Sequence, residues 1–434
     1  MDLTQQTDCP AWQFDGIPAF TGGKMHPLFA DCGAGLSPIP DTETADHSFM
    51  HLFRGAKKED ILSYTELLVT AGFEKIYEHS TDGDLFYQFS VRNGLLYISF
   101  LKDGGVARFI LDQCRQTDVP AFGYSVYTDK RDDTVLAQYS LHYDAMIRGV
   151  TCDCGMNYVY RLRDNTLIII DGGEMEQATD SAAADYMAFL HELTDTAPGE
   201  KMTVALWICT HAHNDHCDFF SKLLRFYGDE LTVERAAFNF PLSTNVRHSP
   251  SVQLAKERLL QKYPDIAYIK PHAGCKFSIA NAEIEVLVSN EDTTACDDED
   301  VFPGTNDTSM IFTVTADGVK TLFLADCGWD NGDVLIRNFG SDTLSCRILQ
   351  AAHHGINEIF EVYDCISAEK VLLPQCRMNM DTRFQTVYAN LCRLYGEDNI
   401  LFANDATDIF ICKDGRYSIR KRNHVGTAWD HSEW

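Results

Sequence analysis

The densest chemistry in this chain is the run Thr210-His211-Ala212-His213-Asn214-Asp215-His216. Three imidazoles and a carboxylate follow directly on the apolar segment Met202–Cys209. Imidazole nitrogen and carboxylate oxygen together suit a zinc ion and, less selectively, iron or manganese. A loop leaving a strand end aims alternate side chains at one point, so His211 and His213 present nitrogens to the same ion. Asp215 and His216 open the following helix and approach a second ion from the other side. A row of surface histidines is the bland alternative. It leaves unexplained why so dense a polar cluster sits at a strand end, which is a functional position in α/β sheets.

Other polar residues end apolar runs further along. Asp171-Gly172-Gly173 follows Leu167–Ile170, Asp326 follows Leu322–Ala325, and His353-His354-Gly355 follows Leu349–Ala352. A charge or imidazole at such a place is costly unless paired or liganded. A lone aspartate after a strand is usually a turn former, but Asp326 together with the upstream cluster reads as a ligand.

These residues must be positioned by an alternating framework. From about residue 138 the chain reads as strands at Tyr158–Leu162, Thr166–Ile170 and Met202–Cys209, then the apolar-periodic segment Phe219–Phe226. Strands and helices continue through Val233–Phe238, Ser251–Lys262, Ile284–Val288, Met310–Thr315, Thr321–Leu324, Arg347–Leu349, Val371–Leu373 and Thr386–Tyr395. Such alternation predicts an α/β domain with helices over the sheet faces. Turns at Ala316–Val319 and Lys413–Gly415 predict hairpins, hence mixed sheets. Residues 1–50 read as an irregular segment. Residues 51–135 read as a small α-β-β-β accessory domain: a helix over Lys57–Ala71, then strands at Leu85–Val91, Leu95–Leu101 and Val106–Leu111, with Asn93-Gly94 as a hairpin turn. Residues 136–434 read as the larger domain that carries these polar residues, and it is expected to be the catalytic one.

Composition bounds the partners. The 434 residues carry 36 Lys+Arg against 64 Asp+Glu, a formal charge of -28, with no basic cluster. That balance argues against nucleic acid and against an anionic membrane surface, and leaves a small-molecule substrate. No run approaches the ~20 apolar residues of a membrane span, and the N-terminus lacks a secretory pattern, so a soluble cytoplasmic protein is expected. The 15 cysteines are odd in number and scattered. They read as reduced thiols. Cys152-Asp-Cys154 has no second pair to complete a structural zinc site. Nothing in the sequence sets the oligomeric state.

The segment His211-x-His213-x-Asp215-His216 resembles the signature of metallo-β-lactamase-fold hydrolases, and Asp171-Gly-Gly, Asp326 and His353-His354-Gly355 fit further motifs of that family in order. The resemblance covers residues 138–434. It implies a four-layer αββα sandwich, to which the residue pattern adds a small N-terminal α+β accessory domain, and two divalent metal ions, zinc first and manganese or iron next. It assigns His211, His213, Asp215, His216, Asp326 and His353 as metal ligands, with Asp326 bridging. Asp171 and Asn306 support the ligands from behind. Asp215 and His354 serve as catalytic groups that return a proton or contact substrate. Asn306-Asp-Thr-Ser309 and His-His-Gly resemble the branch with competence-type and choline-phosphate esterase domains, which hydrolyse phosphodiesters. The implied activity is hydrolysis of a small phosphodiester or ester by a metal-bound hydroxide.

Two departures stand out. Most family members have a third histidine for the first ion in a Pro-Gly-His setting. Here that interval holds only His248 and His272, in other contexts, so His211, His213 and Asp326 with water are left for that ion. Small glycines usually follow the Asp-His pair, whereas Cys217-Asp218-Phe219-Phe220 follow it here. Three alternatives stay open: a carboxylic ester, lactone or thioester hydrolase, a diiron protein, and a non-catalytic module keeping metal for stability. The diiron branch normally has Glu where this chain has His213.

Overall fold

The computed structural model describes residues 12, 14–25, 47–92, 94–113, 126–141, 156–174, 180–239, 258–259, 261–264, 266–294, 304–403 and 406–423. Asn93, Cys152, Cys154, His248 and most of the helix expected over Ser251–Lys262 lie outside them. Among the described residues the strands form three sheets.

The N-terminal sheet contains β1 (Lys24–Met25), β2 (His47–Arg54), β3 (Glu74–Thr81), β4 (Asp84–Val91), β5 (Gly94–Leu101) and β6 (Val106–Gln113), in the order β1-β2-β6-β5-β4-β3. All its pairings are antiparallel. Helix α1 (Lys58–Thr70) covers one face, where Ile61, Tyr64 and Leu68 meet Phe89, Leu96, Ile98 and Phe109. The other face turns Met50, Leu52, Leu95, Tyr97 and Ile110 toward the rest of the molecule. Residues 95 to 98 thus alternate between two cores, as the two-residue period of a strand requires. The sequence pattern located α1, β4, β5 and β6. It missed β2, which crosses residue 50, and β3, whose Glu-Lys-Ile-Tyr-Glu-His-Ser-Thr carries no apolar alternation.

The described residues from Thr134 onward build two sheets. One holds β7 (Thr134–Gln138), β8 (Asn157–Arg161), β9 (Leu167–Asp171), β10 (Met202–Cys209), β11 (Leu231–Val233), β12 (Arg235–Phe238) and β13 (Ala267–Ile269). The other holds β14 (Lys276–Ile279), β15 (Ala282–Val288), β16 (Ile311–Ala316), β17 (Val319–Phe323), β18 (Ile348–Gln350), β19 (Lys370–Leu373) and β20 (Ile400–Phe402). The closing hairpin β21 (Thr407–Lys413) and β22 (Arg416–Arg422) returns to the first, where β21 pairs with β7. Both sheets are mixed: β9 and β10 run parallel, as do β17 and β18, beside antiparallel neighbours.

The inner faces share one core, in which Ile168, Ile170, Leu206 and Ile208 meet Ile284, Phe312, Val314 and Phe323. Helices cover the outer faces. On the first sheet α2 (Asp180–Thr194) and α3 (Asn214–Tyr227) bury Tyr186, Phe189, Phe219 and Phe220. On the second, beyond the short α4 (Asn290–Thr294), helices α5 (Trp329–Asn338), α6 (Phe360–Asp364) and α7 (Gln385–Tyr395) bury Leu335, Tyr363 and Leu391. The order helix, sheet, sheet, helix is the four-layer αββα sandwich expected. With both faces covered, all five residues of β9 are buried, so its run reads as continuous rather than alternating hydrophobicity. Among the described residues no helix is long and apolar enough to cross a membrane.

A polar clamp joins the N-terminal sheet to the sandwich. His272 lies in the turn before β14, fully buried, with Nδ1 2.6 Å from Glu291 Oε1 and Nε2 2.7 Å from Asp112 Oδ2 on β6. Arg108, two strand positions before Ile110 on the same face, pairs with Asp292 of α4. Burial opposes a charged imidazole, but Asp112 and Glu291 outweigh it and raise His272 to about 9. His272 is therefore a structural imidazolium.

Candidate metal centre

The site lies where β9, β10, β17 and β18 end. Thr210–His213 leave β10, and α3 begins at Asn214, so Asp215 and His216 occupy its first turn. Asp326 ends the turn after β17, and the His353-His354 turn follows β18. A backbone bond from Met310 N to Thr210 O, 3.0 Å, joins the two halves there.

Asp171 organises the first half. Its backbone is left-handed, with φ 59°. Its carboxylate accepts from Thr210 N at 2.8 Å and Thr210 Oγ1 at 3.0 Å, and lies 2.8 Å from His216 Nδ1. That contact makes Nδ1 the protonated nitrogen of His216 and leaves Nε2 with its lone pair toward the site. Gly172 serves packing, since a Cβ there would stand 2.4 Å from Phe220 Cβ, while Gly173 takes a positive φ of 76°. Phe219 N and Phe220 N also donate to Gly173 O and Gly172 O at 2.9 and 3.0 Å. The bulky Phe219 and Phe220, which replace the usual glycines, thus point into the helix-sheet core against Tyr186 and Trp207, away from the site. Cys217 is likewise buried, with Sγ 3.6 Å from His213 O.

Asp326 joins the second half to the first. Oδ1 lies 3.3 Å from His216 Nε2 and 3.8 Å from His354 Nε2, while Oδ2 lies 3.6 Å from His211 Nε2 and 3.7 Å from His353 Nε2. The turn that presents Asp326 includes Ala325 at φ 50° and is held by Gln350, whose Oε1 accepts from Ala325 N at 2.6 Å.

Ligand atoms gather in two groups that share Asp326. Asp215, His216, Asp326 and His354 form one, and His211, His213 and Asp326 the other; within each, the atoms lie within 4.8 Å of one another. Among the described residues His354 stands within the first group, while His353 lies in neither, its Nε2 3.7 Å from Asp326 Oδ2. The backbone explains the different placement of the two. Both residues are left-handed, with φ 46° and 53°, and His353 N donates to Ala325 O at 2.8 Å. His354 is thereby buried, with Nδ1 3.0 Å from Pro374 O and Nε2 3.0 Å from Asp215 Oδ2. His353 turns to the rim, 24 % exposed, with Nδ1 2.7 Å from Asn357 Oδ1 and Nε2 3.1 Å from Asn306 Nδ2. Thr210, Gln350, Asn357 and the Pro374 carbonyl were not foreseen. Gln350, a polar residue closing an apolar strand, was the visible signal among them.

The electrostatics ask for added positive charge. Burial penalises charge on every group here. Asp326, Asp171 and Asp215 nevertheless outweigh it and raise His216 well above the ordinary imidazole value, and His354 is raised to about 9 by Asp326 and Asp215. Burial and the neighbouring imidazole of His216 instead hold His211 well below its ordinary value. His216, His354 and His211 in turn overcome burial to hold Asp326 far below the carboxylate range. His216 Nε2 and Asp326 Oδ1 are both buried without a hydrogen-bond partner, facing each other. With His216 neutral these are two facing acceptors, a costly relation unless a proton or a metal cation sits between them. The residues therefore fit divalent ions, which would displace the protons held on His216 and His354. Among the described residues three protein donors lie on the His211 side. His272 lies in its own clamp with Asp112 and Glu291 and does not supply a third histidine.

No family model matches the chain, and no curated protein matches it. Solved structures do. The diiron β-hydroxylase CmlA from Streptomyces venezuelae is 11% identical over 56% of this chain and 46% of its own, with a TM-score of 0.30. Tm1679, a metal-dependent hydrolase of the β-lactamase superfamily, is 9% identical over 67% of this chain and 100% of its own, with a TM-score of 0.35. A metallo-β-lactamase from Cronobacter sakazakii is 13% identical over 57% of this chain and 80% of its own, with a TM-score of 0.28. Members of the metallo-β-lactamase superfamily are thus among the solved structures similar to this chain. The chain spans about half the length of CmlA.

Proposed function

We propose that this chain is a metal-dependent hydrolase of the metallo-β-lactamase superfamily acting on a small phosphodiester or ester. The observation that carries the reading is the shared carboxylate: Asp326 belongs to both ligand groups, one oxygen toward His216 and His354 and the other toward His211. Paired divalent ions, zinc first, would supply a lowered water pKa near ~7 and positive charge for a developing oxyanion. The chain's residues would do the rest. Asp171 fixes the tautomer of His216, and Pro374 O fixes that of His354, so both Nε2 lone pairs face inward. Asp215, half-buried against His354 and His216, is held as an anion and acts as ligand. His353, at the rim with Asn306, takes the substrate-contact role. The residues ahead of the sandwich act as an accessory unit, fixed in place by the His272 clamp.

The test is a panel of bis(p-nitrophenyl) phosphate, a lactone and a β-lactam, with zinc or manganese added. Metal content is read in parallel by mass spectrometry. Turnover of the phosphodiester or an ester, lost in Asp215→Ala with folding kept, is the expected result. Two bound ions with no turnover of any substrate would sink the hydrolase reading.

A further inference from the structure

Helix α5 begins three residues after Asp326, and its N-cap position is held by Gly328. A glycine has no side chain to accept from the free amides of the first turn. Asn331 supplies half of a capping box, its Oδ1 accepting from Gly328 N at 2.8 Å. The other half comes from a different segment. Asp307, in the turn Asn306–Thr308 before β16, places Oδ1 3.1 Å from Asp330 N, and the same carboxylate accepts from Asn331 N. Those are the two amides that the side chain of an N-cap residue ordinarily satisfies. Gly328 makes room for the arrangement, since a Cβ there would stand 2.1 Å from Asp307 Oδ1.

The segment that carries Asp307 touches each ligand-bearing part of the centre. Asn306 Nδ2 lies 3.1 Å from His353 Nε2, Asn331 Nδ2 donates to Ser309 O at 3.3 Å, and Met310 N donates to Thr210 O at 3.0 Å. One short stretch thus holds the start of α5, the His353-His354 turn and the His211 loop relative to one another. Asp326, common to both ligand groups, lies two residues before Gly328, so its place depends on where α5 begins.

We propose that Asp307 is a positioning residue of the metal centre, a helix cap supplied from outside the helix that sets Asp326 between the two ligand groups. The inference rests on the metal reading of the site.

Cobalt(II) is titrated into the metal-stripped full chain and followed by its visible absorption, beside denaturant unfolding of each protein. Asp307→Ala is expected to weaken cobalt binding about 10–100-fold and to change the shape of the band. Asp307→Asn keeps an acceptor oxygen at the cap and should bind as wild type does. Gly328→Ala keeps the charge but displaces the carboxylate, and should resemble Asp307→Ala. Asp60→Ala controls for capping alone. It removes the 2.8 Å bond from Lys57 N to Asp60 Oδ2 at the start of α1, and should lower stability with cobalt binding unchanged. Wild-type affinity and spectrum in Asp307→Ala, or a loss of binding matched by Asp60→Ala, would overturn the proposal while the metal reading stands. A wild-type chain that takes up no cobalt would sink the metal reading and this proposal with it.

Discussion

His354 Nε2 lies 3.0 Å from Asp215 Oδ2, although 139 residues separate the two in the chain. His353, its immediate neighbour, turns instead to the rim and meets Asn306. Adjacent residues of one type therefore have different surroundings, and their substitution should have different consequences.

His354→Ala removes one of the four donors around Asp215, His216 and Asp326. The expected result is a fall from about two ions per chain to about one, with loss of hydrolysis. His353→Ala should keep both ions and lower the rate. Mass-spectrometric metal counting on the two purified variants decides, and the reverse pattern would restore His353 as the ligand.

Asp171→Asn keeps the shape of the side chain but places an amide donor opposite His216 Nδ1, now 2.8 Å from a carboxylate oxygen. The imidazole must change tautomer, which protonates Nε2 and removes its lone pair from the site. Metal affinity should fall about 10–100-fold. A competition titration with a chromophoric zinc chelator measures it. Unchanged affinity would show that Asp171 is a turn residue only.

The His272 clamp makes stability depend on pH. The imidazole titrates at about 9 in the folded chain against 6.5 ordinarily. Its stabilising contribution is thus fully present below about 6.5 and lost as pH rises through about 9. Glu291, which burial would raise but His272 and Arg108 hold well below 4.5, contributes above that value and loses its contribution under acid conditions. Thermal melting should therefore weaken from pH 6.5 to 9.5. His272→Ala, which strands two buried carboxylates, should cost about 3–5 kcal/mol and flatten that slope. A wild-type melting temperature that stays level over this range would contradict the assignment.

Gly172→Ala tests the close approach of the Asp171 turn to α3. With only 2.4 Å to Phe220 Cβ, the helix or the turn must shift, at a cost of about 1–3 kcal/mol. Denaturant unfolding of the variant beside Gly172→Ala/Phe220→Ala should show part of that loss recovered.

Much of this site was legible in the sequence for one reason: polar residues directly after apolar runs mark strand ends. Asp171, the His211–His216 loop, Asp326 and the His353-His354 pair all announced themselves in that way, and the structure brings all four segments together. The order of the histidine pair was not legible, because it depends on two successive left-handed residues and on Asn357 and Pro374, contacts that no spacing encodes. The role of His272 was hidden similarly, since its partner Asp112 lies on another sheet. In the fold, β3 escaped notice because its half-exposed face carries Glu, Lys and His instead of an apolar alternation.

The shared carboxylate also sets an order of assembly during synthesis. The His211–His216 loop leaves the ribosome long before Asp326 and His354 are made, and until then it lacks the carboxylate common to both ligand groups. Capture of ions by both groups would therefore come late, after the second sheet has docked on the first. Metal loading would then act as a checkpoint that reads completion of the whole sandwich, and a chain stalled before β18 would not retain both ions.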